Sequence, residues 1–489
     1  MKGGVLLNQE KVLSQSVSDN LIGKIALGYY RPGSPLPPLR KLATEFGVSV
    51  RMMQLALRRL VGEGLVRVNL RGEALVASPI RRDRLEERIA NFLAKRDALL
   101  DFRENLSILW ADLFFAAIRL CGEEDLLTLE QLLKPAEPNG LPFLLFYQVL
   151  LQKLGNPLLD DFFWDVILYT YSDYPISCWD EARAAAFTER MGAHLYEILR
   201  LCGERGWVAL REELIATHRE TVDSFLATLD ELAKGRPSLQ IPYHWDRHPS
   251  QPQPCFSVAT DLMRRSRTGE FGPGDYLPSC SQLAEEYGAS PASVRMAVTL
   301  TNEMRVTESI NGRGTRIVPE NRAGLPDVAF PSVRRNLTAY LESLQLLSLT
   351  CNSILQRTFP GIPEGERLVC ARRLRAACQA GSPIISALPA QLVVRYSSSA
   401  VVSETYGRLT ELLAWGNGLR FADPERRKAW EPFTVELISA LELGDAGRFA
   451  AGSERIYSRL LQNCREWMLL VGITEIGALA LPFAGGECG

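Results

Sequence analysis

Two sets of side chains in this sequence have the types and spacing to hold a polyanion. The first runs Arg40 and Lys41, then Ser49, Arg51, Gln54 and Arg58, and then Arg71-Gly72. The second runs Ser290, Ser293 and Arg295, then Asn311-Gly312-Arg313 and Thr315. Arginine forks onto guanine and glutamine onto adenine, while further lysines and arginines neutralise phosphates without reading sequence. The chemistry expected of both sets is contact with double-stranded DNA. A net charge of -2 supplies no global attraction for nucleic acid, so the electrostatics must be local. Residues 17–78 hold nine Lys or Arg against four Asp or Glu, whereas 256–319 hold seven against seven. The first set is therefore the better anchor.

The elements that must position these side chains are legible as a repeat. Arg31-Pro32-Gly33-Ser34-Pro35-Leu36-Pro37-Pro38, Leu42-Ala43 and Gly47-Val48-Ser49 recur 241 positions later as Gly272-Pro273-Gly274-Asp275-Tyr276-Leu277-Pro278-Ser279, Leu283-Ala284 and Gly288-Ala289-Ser290. Pro-Gly marks a turn. Pro38, at a first helical position, and Ser279, as an N-cap, start a short helix ending at Gly47 or Gly288. Ser49 and Ser290 cap a second helix, with Pro291 in its first turn. Met53, Ala56, Leu57 and Leu60, matched by Val294, Ala297 and Val298, form its buried stripe. Two short helices joined by a glycine-containing turn predict a helix-turn-helix whose second helix enters the major groove. A hairpin follows each time, from Gly64–Val68 back through Leu75-Val76, and from Ser309-Ile310 back through Arg316–Val318.

Both copies resemble the winged module of the GntR family of bacterial regulators, with its Pro-Gly-x-x-Leu-Pro-Ser-x-Arg-x-Leu-Ala, Val-Ser-Arg-x-x-Val-Arg-x-Ala-Leu and Gly-x-Gly-Thr patterns. The resemblance implies contacts to phosphates and base edges from the pattern's arginines and the wing tip. The copies depart from the pattern in different places. Arg40 keeps the first arginine, but Val50 and Gln54 replace the later two and Arg51 stands one step away. Ser281 and Pro291 replace arginines in the second copy, which keeps Ser293, Arg295 and the full Gly312-Arg313-Gly314-Thr315 wing.

Residues 81–234 are helical in period, and Gly155-Asn156-Pro157-Leu158-Leu159 resembles a motif in the all-helical effector domain of the FadR-like (FCD) branch. The expected fold is mainly α, with two winged domains alternating with two helical effector-like domains: 1–78, 79–235, a Pro-rich linker at 236–254, 255–319, 320–481 and a flexible tail at 482–489. Leu337, Leu341, Leu344 and Leu347 share one phase in the second helical domain. Many domains of that branch hold a metal through an aspartate and three histidines. Here Phe143, Tyr147 and Tyr196 stand at the aligned positions, with His218 alone surviving, so no metal site is expected. His244 and His248 stand among prolines that disfavour a helix, so they are not read as ligands either. Trp110, Phe114, Phe146, Tyr147, Tyr196 and His218 are candidates for lining a pocket for a small apolar or acyl effector. Ordinary core packing is the competing account.

No run approaches the apolar length of a membrane span, no secretory leader is read at the start, and the ten cysteines contain no C-x-x-C pair. A cytoplasmic chain with reduced thiols and no cofactor is expected. No phosphate loop, G-x-S-x-G or H-E-x-x-H occurs, and the repeated plan leaves no room for the aminotransferase-like domain of some GntR relatives, so an enzyme is not expected. Two readings stay open. One is a regulator in which a duplication fuses two protomers into a single-chain pseudo-dimer reading an asymmetric operator, with homodimerisation of the whole chain an added option. The other is an adaptor in which at least one winged module docks protein.

Overall fold

The computed structural model describes residues 17–18, 20–25, 29–46, 48–69, 72–77, 85–134, 141–171, 181–233, 239–245, 254–268, 270–318, 325–379, 386–416, 419 and 430–481. Arg71, His248 and the tail at 482–489 lie outside them. The fold is mainly helical with two small antiparallel hairpins, as the sequence predicts. Two compact units form: one falls within residues 1–107, 117–153 and 160–252, the other within 108–116, 154–159 and 253–489.

In the first unit, helical residues 17–18 and 20–25 precede α1 (Leu39–Glu45) and α2 (Val50–Gly62). The hairpin of β1 (Val66–Val68) and β2 (Ala74–Val76) follows, with Val66 opposite Val76. Leu21, Leu42, Met53, Ala56, Leu60 and Val76 are buried together, because the helices present their apolar stripes to one face of the hairpin. Pro38 stands at the N-cap position of α1 without a side-chain capping bond, one residue earlier than its sequence placement. The helices α3 (Leu85–Leu93), α4 (Arg96–Asp101), α5 (Ser107–Ile118), α6 (Glu123–Leu133), α7 (Leu141–Gln152), α8 (Pro157–Tyr171), α9 (Glu181–Gly203) and α10 (Trp207–Ala233) come next in the chain, with residues 108–116 of α5 and 157–159 of α8 belonging to the second unit. The winged module packs on α8. Lys24 is buried, with its ammonium 4.8 Å from the ring centre of Trp164 and 5.0 Å from that of Phe46, and a Cβ added to Gly23 would strike Leu168.

The segment expected as a linker is described over 239–245, where it is bound to the helical domain of this unit. Ile241 N–H donates to Ala94 C=O at 2.7 Å, Tyr243 hydroxyl donates to Asp165 at 2.7 Å, and Trp245 is buried against Phe162. The aromatic residues between the prolines supply the apolar area that fastens it.

The second unit repeats the winged plan with α11 (Pro254–Thr268), α12 (Cys280–Glu286), α13 (Pro291–Glu303), β3 (Thr307–Ile310) and β4 (Gly314–Ile317). Its helical part comprises α14 (Pro331–Thr358), α15 (Glu364–Gln379), α16 (Leu388–Tyr396), α17 (Ala400–Leu413), α18 (Glu431–Leu443) and α19 (Ala446–Leu470). Leu337, Leu341, Leu344 and Leu347 of α14 are fully buried, in keeping with their shared phase. No helix among the described residues is long and apolar enough to cross a membrane.

Candidate nucleic-acid interface

The repeat read in the sequence is reproduced bond for bond. Pro35 bridges to Leu75 and Tyr276 to Arg316; Gly33 N–H donates to Val76 C=O and Gly274 N–H to Ile317 C=O; Leu36 N–H donates to Ala74 C=O and Leu277 N–H to Thr315 C=O. Every residue in the second set stands 241 positions after its partner in the first. Gly33 and Gly274 have φ of +83° and +92°, the left-handed conformation that the turn before each helix-turn-helix requires. In both copies an extended stretch before the helix-turn-helix thus joins the hairpin as a third partner, fixing wing against helices.

Each second helix is held at its start by the expected serine. Ser49 Oγ accepts from Met52 N–H at 3.2 Å, and Ser290 Oγ accepts from Ser293 N–H at 3.1 Å. Ser279 forms a reciprocal capping box with Gln282 at the head of α12. Met52, Met53, Ala56 and Leu60 turn inward from α2, as do Val294, Ala297 and Val298 from α13.

The opposite faces are open. Arg40, Lys41, Ser49, Arg51, Gln54, Arg58 and Gly72 are exposed in the first module; Arg295, Asn311, Gly312 and Arg313 are exposed in the second. Arg40, Lys41 and Arg58 make no ion pair with another described residue, and neither do Arg31 and Arg67, two further exposed cations on this module that the family pattern does not single out. Their chain positions gave no sign that the fold leaves them unpaired.

Ser290, Ser293 and Thr315 are partly buried and engaged internally. Ser290 and Ser293 share a 2.9 Å hydroxyl contact, and Thr315 bonds Ser309 at 2.9 Å. That contact ends a chain running from α13 to the wing: Thr301 to Thr307 at 2.7 Å, Thr307 to Asn302 at 2.7 Å, Asn302 to Ser309 at 2.9 Å. The positions matching Thr301, Thr307 and Ser309 in the first module are the apolar Leu60, Val66 and Val68. Several cations of the second module are also spent internally. Arg265 pairs with Glu270 and Glu286 at 2.7 and 2.6 Å, Arg264 with Asp261 at 2.6 Å, and Arg316 with Glu308 at 2.7 Å.

Residues 13–76 and 257–317 match the family described as "Bacterial regulatory proteins, gntR family". Both winged modules are of the gntR type. A 69-residue stretch is 38% identical to the mannosyl-D-glycerate transport/metabolism system repressor MngR of Escherichia coli (strain K12), over 14% of this chain and 29% of that protein. The chain thus spans well under half the length of that curated relative. Among solved structures, E. coli McbR/YncC overlaps 44% of this chain and 98% of its own, at 17% identity and a TM-score of 0.26. Streptococcus agalactiae GntR overlaps 43% and 99% at 17% identity and a TM-score of 0.21. A GntR-family regulator from Pseudomonas syringae pv. tomato str. DC3000 overlaps 45% and 89% at 20% identity and a TM-score of 0.21.

The six residues considered for an effector pocket fall in both units, and each is described within its own. Trp110 and Phe114 stack on each other at 5.4 Å within the second unit. Phe146, Tyr147, Tyr196 and His218 belong to the first, where Phe146 is fully buried and Tyr196 lies at the surface in an open groove beside Leu126, Leu127 and Leu199. Burial, with Arg219 adding to it, pushes the His218 imidazole down to about 4, and its Nδ1 is shielded without a hydrogen-bond partner in the described structure. No group of three or more metal-ligating side chains forms among the described residues. Sequence reading missed His194, which bridges Glu213 at 2.5 Å and Glu220 at 2.7 Å between α9 and α10. Burial opposes its charge, but the two carboxylates outweigh that and raise its pKa.

Proposed function

We propose that this chain is a DNA-binding transcription regulator whose two gntR-type modules read the two halves of one asymmetric operator. The observation that carries this reading is the repeated hydrogen-bond frame, which presents two capped helices with outward faces of different chemistry. The first module offers Arg51, Gln54 and Arg58 on its helix, with Arg40 and Lys41 beside it; the second offers Arg295 on its helix and Asn311-Gly312-Arg313 on its wing. Arginine and glutamine there suit base edges, and the remaining cations suit phosphates.

The tandem plan is that of two protomers fused, so the chain acts as a single-chain pseudo-dimer, cytoplasmic and of the FadR-like branch, with its helical domains taking a small apolar or acyl effector. Self-association of whole chains is a further level of assembly. Selection of random duplexes by the purified protein, followed by sequencing and footprinting, tests the reading. The expected result is a motif with two unlike halves, each lost separately with Arg51→Ala/Gln54→Ala and with Arg295→Ala/Arg313→Ala. Enrichment of no motif overturns DNA reading, and a perfect palindrome equally protected on both arms by one chain overturns the asymmetry.

A further inference from the structure

The outward faces of the two recognition helices differ in kind. On α13, Ala292, Arg295, Met296 and Thr299 are exposed at i, i+3, i+4 and i+7, so they line one face, and Met296 is 51% exposed. The residues 241 positions earlier are Arg51, Gln54, Leu55 and Arg58. Polar reach on α13 is narrower than its sequence suggests. The Ser290 and Ser293 hydroxyls are turned on each other at the cap, and the Thr299 hydroxyl donates to the Arg295 carbonyl at 3.0 Å, which leaves its methyl as the group to offer outward. One guanidinium therefore stands in an apolar strip.

In the major groove the apolar feature of the base edges is the 5-methyl group of thymine, while a guanidinium forks onto guanine O6 and N7. We infer that the second winged module recognises a thymine-rich half-site, with Ala292, Met296 and Thr299 against 5-methyl groups around one guanine held by Arg295. This deepens the proposed function and rests on it. The charge arrangement supports DNA over a protein surface as the occupant. Arg295 on the helix and Arg313 on the wing are exposed and make no ion pair with described residues, whereas Arg264, Arg265 and Arg316 are neutralised internally.

The test uses the full chain and its selected duplex, with thymines replaced by deoxyuridine in one half-site at a time. Deoxyuridine pairs identically and lacks only the methyl group. In the half lost with Arg295→Ala, each contacted methyl removed is expected to weaken binding about fourfold, the value of burying one such group. Met296→Ala should weaken binding to the thymine duplex and cost nothing further once that half carries deoxyuridine, while Met296→Leu, which keeps the apolar bulk, retains the discrimination. Equal affinity for thymine and deoxyuridine in that half, with the chain still bound to the duplex, overturns the inference and returns the strip to protein docking. Failure to bind any duplex overturns the DNA reading beneath it.

Discussion

Asn156 and Gln345, 189 positions apart, meet inside the second unit, where Asn156 Nδ2 donates to Gln345 Oε1 at 2.7 Å. Each is otherwise fully used. Asn156 Nδ2 also donates to the Glu342 carbonyl at 3.0 Å, and its Oδ1 accepts from Leu159 N–H at 3.1 Å, which caps α8. Gln345 Nε2 donates to the carbonyls of Leu154 at 2.9 Å and Ala480 at 2.7 Å. Gly155 completes the joint: at φ +61° a Cβ would strike the Ala478 carbonyl oxygen. The Gly-Asn-Pro motif is thus a structural clasp on α14.

Asn156→Ala strands Gln345 Oε1 away from water, removes the second donor to the Glu342 carbonyl and uncaps α8. An unsatisfied buried group and a lost cap together cost about 2–4 kcal/mol. Urea denaturation should show that loss, with duplex affinity of the folded variant unchanged. A midpoint equal to that of the parent would remove the clasp from the account.

Glu342, on the same helix, is buried, and desolvation pushes its pKa up to about 8. The folded state then holds a proton that the unfolded chain releases near the ordinary value of 4.5, so stability is full below that value and falls as pH rises through about 8. Glu342→Gln, which cannot ionise, should flatten this alkaline decline. Parallel pH–stability curves for parent and variant would contradict the buried proton.

Salt dependence separates the modules. Each phosphate neutralised contributes about -0.9 to the slope of log K against log salt on B-DNA. Lys41→Ala/Arg58→Ala removes two exposed cations that make no ion pair among the described residues, and should lower the slope by about 2 units. Arg264→Ala, at a cation already committed to Asp261, should leave it nearly unchanged. Equal effects from both variants would mean that the internal ion pairs do not govern phosphate contact.

Ser290 and Ser293 test capping against reading. Ser290→Ala loses the cap of α13 and should destabilise the second module by about 1 kcal/mol, seen in thermal unfolding. Ser293→Ala should leave the selected base motif unaltered, because its hydroxyl is bonded to Ser290. A changed base preference with Ser293→Ala would restore that hydroxyl as a reader.

The sequence by itself determined the winged modules, because their signals are local. A turn glycine, a capping serine and a period-3.6 stripe act within a few residues of one another, so Ser49, Ser279 and Ser290 cap as read and the hairpins pair at the predicted places. Only the tertiary structure decided which polar groups remain free. Ser293 and Thr315 stand among the contacts expected from the sequence, yet their hydroxyls are taken by Ser290 and Ser309. Likewise, the proline-flanked Tyr243 and Trp245 found a core. Burial and hydrogen-bond satisfaction are set by partners distant along the chain, such as Gln345 for Asn156, and no local pattern carries that information.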